Sequence, residues 1–247
     1  MVQRLRKLSQ KKFRKSLKEF LVEGPSVVEE GLKANQISHV FSTRDYEDDR
    51  ALIPLASSRL VPCSLISKKA LDKITETSNP AGIIAISNLK ISEIDHDEAG
   101  KLNQVIYLDQ IQDPGNAGTI IRGAAAFGFS AVVFSTDSVD PTNLKTVRST
   151  AGSLFQIPIF MSTSLEDFHH WGFEVWLTDA NAEKEILDVP VNKRQVWVFS
   201  NEARGLRRGY DFAKSLKIPI KTQTESLNVA QAASILMFHV ANKISDV

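Results

Sequence analysis

The chain has little cysteine, no long apolar run and no acid in its first turns, and each shortage removes a class of protein. Its single cysteine, Cys63, can form neither an internal disulfide nor a cysteine-rich zinc site. A reducing compartment, the cytoplasm, is the expected setting. No apolar run approaches the roughly 20 residues that cross a bilayer, so no membrane span is expected. Residues 1–18 hold eight basic side chains (Arg4, Arg6, Lys7, Lys11, Lys12, Arg14, Lys15 and Lys18) and no acidic one, where a secretory signal would carry an apolar core. The five histidines, His39, His96, His169, His170 and His239, lack metal-ligand spacing, and adjacent His169 and His170 do not share a helix face. No metal site is expected. A G-x-S-x-G nucleophile elbow is also missing.

What is present is an ordinary globular composition of 247 residues, 43% hydrophobic, with a formal net charge of +1. The even balance conceals an asymmetry. Beyond residue 18 there remain 22 Lys and Arg against 29 Asp and Glu, a net of −7. A basic arm on an acidic body suits an anionic partner such as nucleic acid; a solvated amphipathic helix is the plainer alternative.

The first 90 residues alternate between helical and extended patterns. The expected elements are a helix near 8–18, a strand at Phe20–Glu23, a helix at Pro25–Lys33 and a strand at Ile37–Ser42. A short helix, a strand near Leu60, a helix at Ser67–Lys73 and a strand at Gly82–Ser87 follow. This is a small α/β unit. Residues 91–104, ISEIDHDEAGKLNQ, are polar and acidic and are expected to be a linker. From Val105 the alternation resumes with more apolar strands at 105–109, 131–134, 157–160, 174–178, 196–200 and 217–220. Nearly continuous apolar strands separated by helices predict a parallel sheet covered on both faces. The last helix, Asn228–Lys243, is apolar almost all round, which calls for burial on more than one side by this chain or by a second copy.

YLDQIQDPGNAGTIIRGAAAFGFSAVVFSTD, residues 107–137, has the strand, glycine turn, helix, strand pattern of a nucleotide site. Gly115 and Gly118 break the G-x-G-x-x-G spacing, although Asp137 stands where a ribose-binding acid would. Gly118 and Gly123 have P-loop separation, but Ala124 and Ala125 replace the Lys and Ser/Thr. The polar residues are more telling. Asn116 stands where a helix cap would, and Arg122 interrupts an apolar helix. Two more strand ends carry polar clusters: Ser200, Asn201, Glu202 and Gly205 in VWVFSNEARGL, and Ser226, Leu227 and Asn228 in IPIKTQTESLNVAQAASIL. Both fall at the carboxyl edge, where open α/β sheets bind ligands.

With these residues the sequence resembles the SpoU, or TrmH-like, RNA 2′-O-methyltransferases of the SPOUT superfamily. The resemblance is carried by DPGNAGTIIRGAAAFG (113–128), SNEARGL (200–206) and IPIKTQTESLNVAQAA (218–233), in the family's order, with LKTVRSTAGSLFQIP (144–158) between the first two. It implies an α/β catalytic domain at 105–247, with a mostly parallel sheet and a C-terminal trefoil knot. Residues 1–90 are similar to a small ribosomal-protein-like domain that would bind the RNA. The family also implies S-adenosylmethionine as cofactor and a homodimer that completes the active site. On this resemblance Asn116, Arg122, Glu202, Ser226 and Asn228 would be catalytic, with Asn116 and Glu202 holding Arg122. Thr178, Ser200, Asn201, Gly205, Ile218 and Leu227 would enclose the cofactor. The expected substrate is RNA, ribosomal before transfer RNA. The alternatives are an NAD-type oxidoreductase and a non-catalytic RNA-binding protein.

Overall fold

A computed structural model describes residues 2–48, 50–75, 77–200, 210–221 and 226–245. The first part of the chain forms α1 (Val2–Leu8), α2 (Lys11–Leu17), β1 (Phe20–Glu23), α3 (Pro25–Lys33) and β2 (Ile37–Ser42). It continues through α4 (Leu52–Ser58), β3 (Cys63–Leu65), α5 (Lys68–Leu71) and β4 (Ile83–Ser87). Then come α6 (His96–Ala99), β5 (Gln104–Asp109), α7 (Pro114–Ala126), β6 (Ala131–Phe134), α8 (Leu144–Ser149) and β7 (Ile159–Met161). The last elements are α9 (Leu165–His170), β8 (Glu174–Thr178), β9 (Gln195–Ser200), β10 (Lys214–Leu216) and α10 (Val229–Ser245).

Two compact units result. One comprises residues 1–90 with 140–156, the other 91–139 with 157–247. The expected boundary therefore differs in two places. Residues 91–104 do not form a free linker, because α6 and its flanks bury Ile94, Ala99 and Leu102 in the core of the second unit. Residues 140–156 group with the first unit through Leu144, which packs in its core, and through polar contacts that no hydrophobic pattern reveals. Arg14, only 7% exposed, bonds Asp140 Oδ2 at 2.7 Å, Thr142 Oγ1 at 3.0 Å and the Leu8 and Ser9 carbonyls that end α1. Burial pushes the Asp140 carboxyl up, but bonds from Thr142 and Arg14 and the Arg14 charge outweigh it and hold the group below the usual carboxylate range.

In the first unit the sheet order is β1-β4-β2-β3, antiparallel except for the β2/β3 pair. The helix expected at 8–18 is two helices broken at Ser9–Gln10. Leu5 and Leu8 on α1 turn into the core with Leu21, Phe41, Ile84 and Ile86, so the basic arm is part of the fold. Leu60 lies outside any strand, at a left-handed turn (φ 58°) and 92% exposed; the strand starts at Cys63.

The second unit holds a fully parallel sheet in the order β10-β8-β9-β5-β6-β7. Gln104–Asp109 is buried throughout, as a central strand covered on both faces requires. The strand expected at 217–220 ends earlier, at Leu216, and leaves only a bridge between Lys217 and Glu185. From β10 at the sheet edge the chain returns to α10, which packs on α7 and β9. Gly123 makes that approach possible: a Cβ there would stand 2.4 Å from Met237 Cε. The expected knot involves segments 201–209 and 222–225, which lie outside the described residues.

Candidate active site

Parallel strands put their carboxyl ends on one edge, and the register fixes who stands beside whom. Asp109 of β5 is opposite Ser200 of β9, and Leu216 of β10 is opposite Thr178 of β8. From β5 the chain proceeds to β6 on one side while β9 flanks the other, so this edge is the switch point where α/β sheets bind ligands.

The loop from β5 to α7 is pinned by two serines just past β6. Ser135 Oγ accepts from Gln110 N (3.0 Å), and Ser138 Oγ accepts from Ile111 N (3.1 Å) while donating to Leu108 O (2.8 Å). That holds Gln110 in a left-handed conformation (φ 57°) and delivers the chain into α7. The cap of α7 is Asp113, not Asn116: its carboxylate accepts from Asn116 N at 2.7 Å. This bears directly on the glycine turn. The amide that would hold a phosphate is taken by a carboxylate, whose charge repels one, which argues against a dinucleotide at this turn.

Relieved of capping, the Asn116 side chain reaches across the site. Asn228 Nδ2 donates to Asn116 Oδ1 at 3.1 Å, joining residues 112 positions apart. Asn228 is itself the cap of α10, its Oδ1 accepting from Ala230 N (2.9 Å) and Gln231 N (3.4 Å). Its two amide atoms therefore serve different ends: oxygen for the helix, nitrogen for Asn116.

Arg122 is not held by Asn116, contrary to expectation. Six residues along α7, it is rotated by about 240° from Asn116. It is exposed and makes no hydrogen bond or ion pair among the described residues. Ser226 and Leu227 directly precede Asn228, Ser226 exposed and Leu227 half-buried. Glu202, Asn201 and Gly205 lie outside the described residues. The Thr178 hydroxyl donates to Val198 O at 2.8 Å, tying β8 to β9. Ser200, Ile218 and Ile220 are half-buried at the same edge, and among the described residues the Ser200 hydroxyl and the Ile218 and Ile220 amides have no hydrogen-bond partner. Half-buried apolar walls with spare backbone donors are what a purine such as the adenine of S-adenosylmethionine needs, so these residues fit that cofactor. Asp109 is a site residue that no motif announces; 1% exposed at the end of β5, it is a buried carboxylate beside Ser200, signalled only by an acid ending an apolar run. No cluster of potential metal ligands occurs among the described residues.

A model of the SpoU rRNA Methylase family matches residues 103–238, which include the whole of this edge. The chain belongs to that family. Residues 1–85 of this SpoU methylase match an MRM3-like substrate binding domain. The chain is 32% identical over 240 residues to the 23S rRNA (guanosine(2553)-2′-O)-methyltransferase RlmP of Bacillus subtilis (strain 168), covering 95% of this chain and 93% of that one. It matches an AdoMet-bound rRNA methyltransferase from Sinorhizobium meliloti with a TM-score of 0.83 at 29% identity, over 98% of this chain and 94% of the other. The SpoU methyltransferase AviRb from Streptomyces viridochromogenes, in complex with AdoMet, shares the fold with a TM-score of 0.84 at 22% identity, over 99% and 97%. As a SpoU methylase the chain is an S-adenosylmethionine-dependent RNA methyltransferase with a SPOUT catalytic unit and an N-terminal substrate-binding region.

Proposed function

We propose that this enzyme methylates a ribose 2′-hydroxyl of ribosomal RNA in the cytoplasm, with residues 105–247 carrying the chemistry and residues 1–90 holding the RNA. The observation that carries the site assignment is the bond between Asn116 and Asn228 at the carboxyl edge. It joins the first and third motif segments, and the strand register sets Ser200 beside Asp109 and Thr178 beside Leu216 at the carboxyl edge. The ribosomal substrate is supported by the relatives, among which RlmP acts on 23S rRNA.

When bound, S-adenosylmethionine supplies a sulfonium-activated methyl group for in-line attack. The chain's own task is alignment and the fate of one proton. Backbone groups at Thr178, Ser200 and Ile218, with Leu227, would hold the cofactor, and Asn201 and Gly205 are assigned to the same set. Asn116 and Asn228 fix the two helix starts that flank the acceptor ribose, and the roles of positioning loop and substrate fall to Ser226 and Glu202. Arg122 grips the phosphate beside the acceptor and orients the hydroxyl. A guanidinium stays protonated and is a poor base, so the proton leaves to a phosphate oxygen or water as the carbon–oxygen bond forms.

The exposure of Arg122 and its turn away from Asn116 fit a homodimer in which each arginine serves the partner's site. A surface for that dimer exists on α10. Ile235, Phe238 and Ile244 are 43%, 59% and 46% exposed, and beside them Leu187 is 64% exposed. Leu187, Ile235 and Phe238, with Ile186 and His239, border a cavity of about 380 Å³ that is mostly apolar. Phe127 at the end of α7 meets Phe238 edge to face, which makes the patch continuous with the helix that carries Arg122.

Transfer of labelled methyl from S-adenosylmethionine to ribosomal RNA, with the product read as a 2′-O-methyl block to alkaline cleavage, tests the assignment. Arg122→Ala is expected to lower transfer at least 100-fold while cofactor affinity stays within about twofold, an exposed residue costing little stability. Normal turnover by the variant overturns the role given to Arg122.

A further inference from the structure

Three residues, Gln110, Ile111 and Gln112, link the end of β5 to Asp113, the cap of α7. Each of them is tied to residues 135–139, the turn that follows β6. The Gln110 amide donates to Ser135 Oγ at 3.0 Å, and the Ile111 amide donates to Ser138 Oγ at 3.1 Å. The Ile111 carbonyl accepts from Val139 N at 2.7 Å, and the Gln112 side chain donates to the Asp137 carbonyl. Neither serine belongs to one of the three motif segments, yet both are buried, 5% and 8% exposed.

The two hydroxyls also bond each other, at 3.0 Å. Ser138 has one hydroxyl proton and gives it to the Leu108 carbonyl at 2.8 Å, so Ser135 is the donor between them. The bonds therefore run one way, from the Gln110 amide through Ser135 and Ser138 to the Leu108 carbonyl. Both hydroxyl protons are taken up within the protein, so the pair works by holding backbone and not by proton transfer. What it holds is a strained conformation: Gln110 stands at φ 57°, left-handed backbone that an L side chain disfavours. Without the two acceptors, Gln110 is free to return to negative φ and to redirect the residues after it. Beyond Gln110 the path to the site has little slack. Pro114 fixes its own φ at the first helical position, the Asp113 carboxylate accepts from Asn116 N at 2.7 Å, and Asn116 Oδ1 accepts from Asn228 at 3.1 Å.

We propose that Ser135 and Ser138 are positioning residues for methyl transfer: their paired hydroxyls hold Gln110 left-handed and so set where the first turn of α7 presents Asn116 to the acceptor ribose. They touch neither ribose nor cofactor and act through Asn116. The inference rests on the reading of Asn116 as a site residue and extends the machinery to a turn outside the motifs.

The test uses the full-length protein with ribosomal RNA and S-adenosylmethionine. Ser135→Ala and Ser138→Ala are each expected to lower kcat about tenfold or more, since a misplacement of about 1 Å can cost about 100-fold. Affinity for S-adenosylmethionine, read by calorimetry, is expected to stay within about twofold, which also reports that the variants fold. A double-mutant cycle then separates positioning from packing. Glycine adopts positive φ without strain, so in a Gln110→Gly background the serine substitutions are expected to change kcat by no more than about threefold relative to that background. The fall in Tm that accompanies them is expected in both backgrounds, because the Gln110 and Ile111 amides lose their acceptors in either. An equal drop in kcat in the two backgrounds, or an unchanged kcat in the original one, overturns the proposal. Should Ser138→Ala, which removes two backbone contacts at once, fail to fold, Ser135→Ala carries the cycle. Asn116→Ala separates the two claims: normal transfer by that variant removes the site reading and the proposal with it, whereas loss there beside full activity in both serine variants overturns the proposal alone. A second readout needs no turnover. The Asn116 side-chain amide resonance, followed by NMR without substrate, is expected to move in each serine variant and to stay in place when the same change is made on Gln110→Gly. Absence of transfer by the unaltered protein would count against the ribosomal substrate, and an unmoved resonance in the serine variants would then overturn the proposal.

Discussion

Asn228 is the residue at which helix stability and site geometry can be separated. Its Oδ1 caps α10 through Ala230 N at 2.9 Å, and its Nδ2 reaches Asn116 at 3.1 Å. Asn228→Ala removes both. Loss of a cap costs about 1 kcal/mol, and loss of a partly exposed neutral hydrogen bond about 0.5 kcal/mol. The sum, about 1.5 kcal/mol, corresponds to a fall in Tm of about 3–6 °C for a chain of this size. Asn228→Ser keeps an oxygen that can cap but is too short to reach Asn116, so its stability should lie within about 0.5 kcal/mol of the original. If alignment of the two helix starts matters to the reaction, both variants should lose about ten- to 100-fold in kcat/KM. The assays are urea unfolding and methyl transfer on the same preparations. Full activity in Asn228→Ser would refute the argument, because Asn228 would then be a helix cap and nothing more.

The basic arm should be tested by substitution rather than deletion, since removing residues 1–18 also removes Leu5, Leu8 and Arg14 from the first unit's packing. Replacing exposed Lys11, Lys12 and Lys15 by Gln is expected to flatten the slope of log affinity for RNA against log salt by about 0.7–0.9 for each phosphate no longer neutralised, with an unchanged slope counting against the arm as an RNA-binding element. Arg14→Ala should act on folding instead, costing about 3–5 kcal/mol in denaturant unfolding because it leaves Asp140 unpaired in a buried setting. For Glu174, partial burial pushes the carboxyl up, but bonds from Lys214, Trp176 and Gln195 outweigh it and hold it at about 2. A depressed carboxylate contributes stability above its unfolded pKa of about 4.5, lost as pH falls toward 2; Glu174→Gln should shrink the fall in Tm across that window, and an identical profile would refute the linkage. Phe238→Asp is expected to give monomers by sedimentation with methyl transfer strongly reduced, whereas dimers of normal activity would exclude the α10 surface as the interface.

Much of the fold was legible because its strongest signals are local. The strands at 105–109, 131–134, 174–178 and 196–200 are apolar runs bounded by polar residues, and a central parallel strand has few other ways to be written. Failures occurred where contacts outside the periodic pattern decide. The broken helix at Ser9–Gln10 is held by Arg14 turning back to the Leu8 and Ser9 carbonyls, a bond with no periodicity. Residues 91–104 looked like a linker because their polar residues outnumber the apolar ones, yet Ile94, Ala99 and Leu102 suffice to anchor them. Ile218–Ile220 looked like a strand because apolar β-branched residues suit strands and also suit the wall of a ligand site, and composition does not separate the two.

The active-site residues show the same division more sharply. Asn116 follows Pro114 and Gly115 at a helix start, so local rules favour it as the cap; Asp113, three residues earlier, satisfies the same rule and wins because its carboxylate bonds Asn116 N at 2.7 Å. Only that outcome frees Asn116 for Asn228, and neither residue alone signals the other across 112 positions. Arg122 was conspicuous for the opposite reason, a charge within an apolar helix. Its solvent-facing position means that this protomer's fold does not need it there, and the Ala and Ile residues around it are accounted for by packing while the arginine is not. A side chain that packing leaves unexplained, on the helix whose first turn builds the site, has its reason in the substrate or in a second copy of the chain.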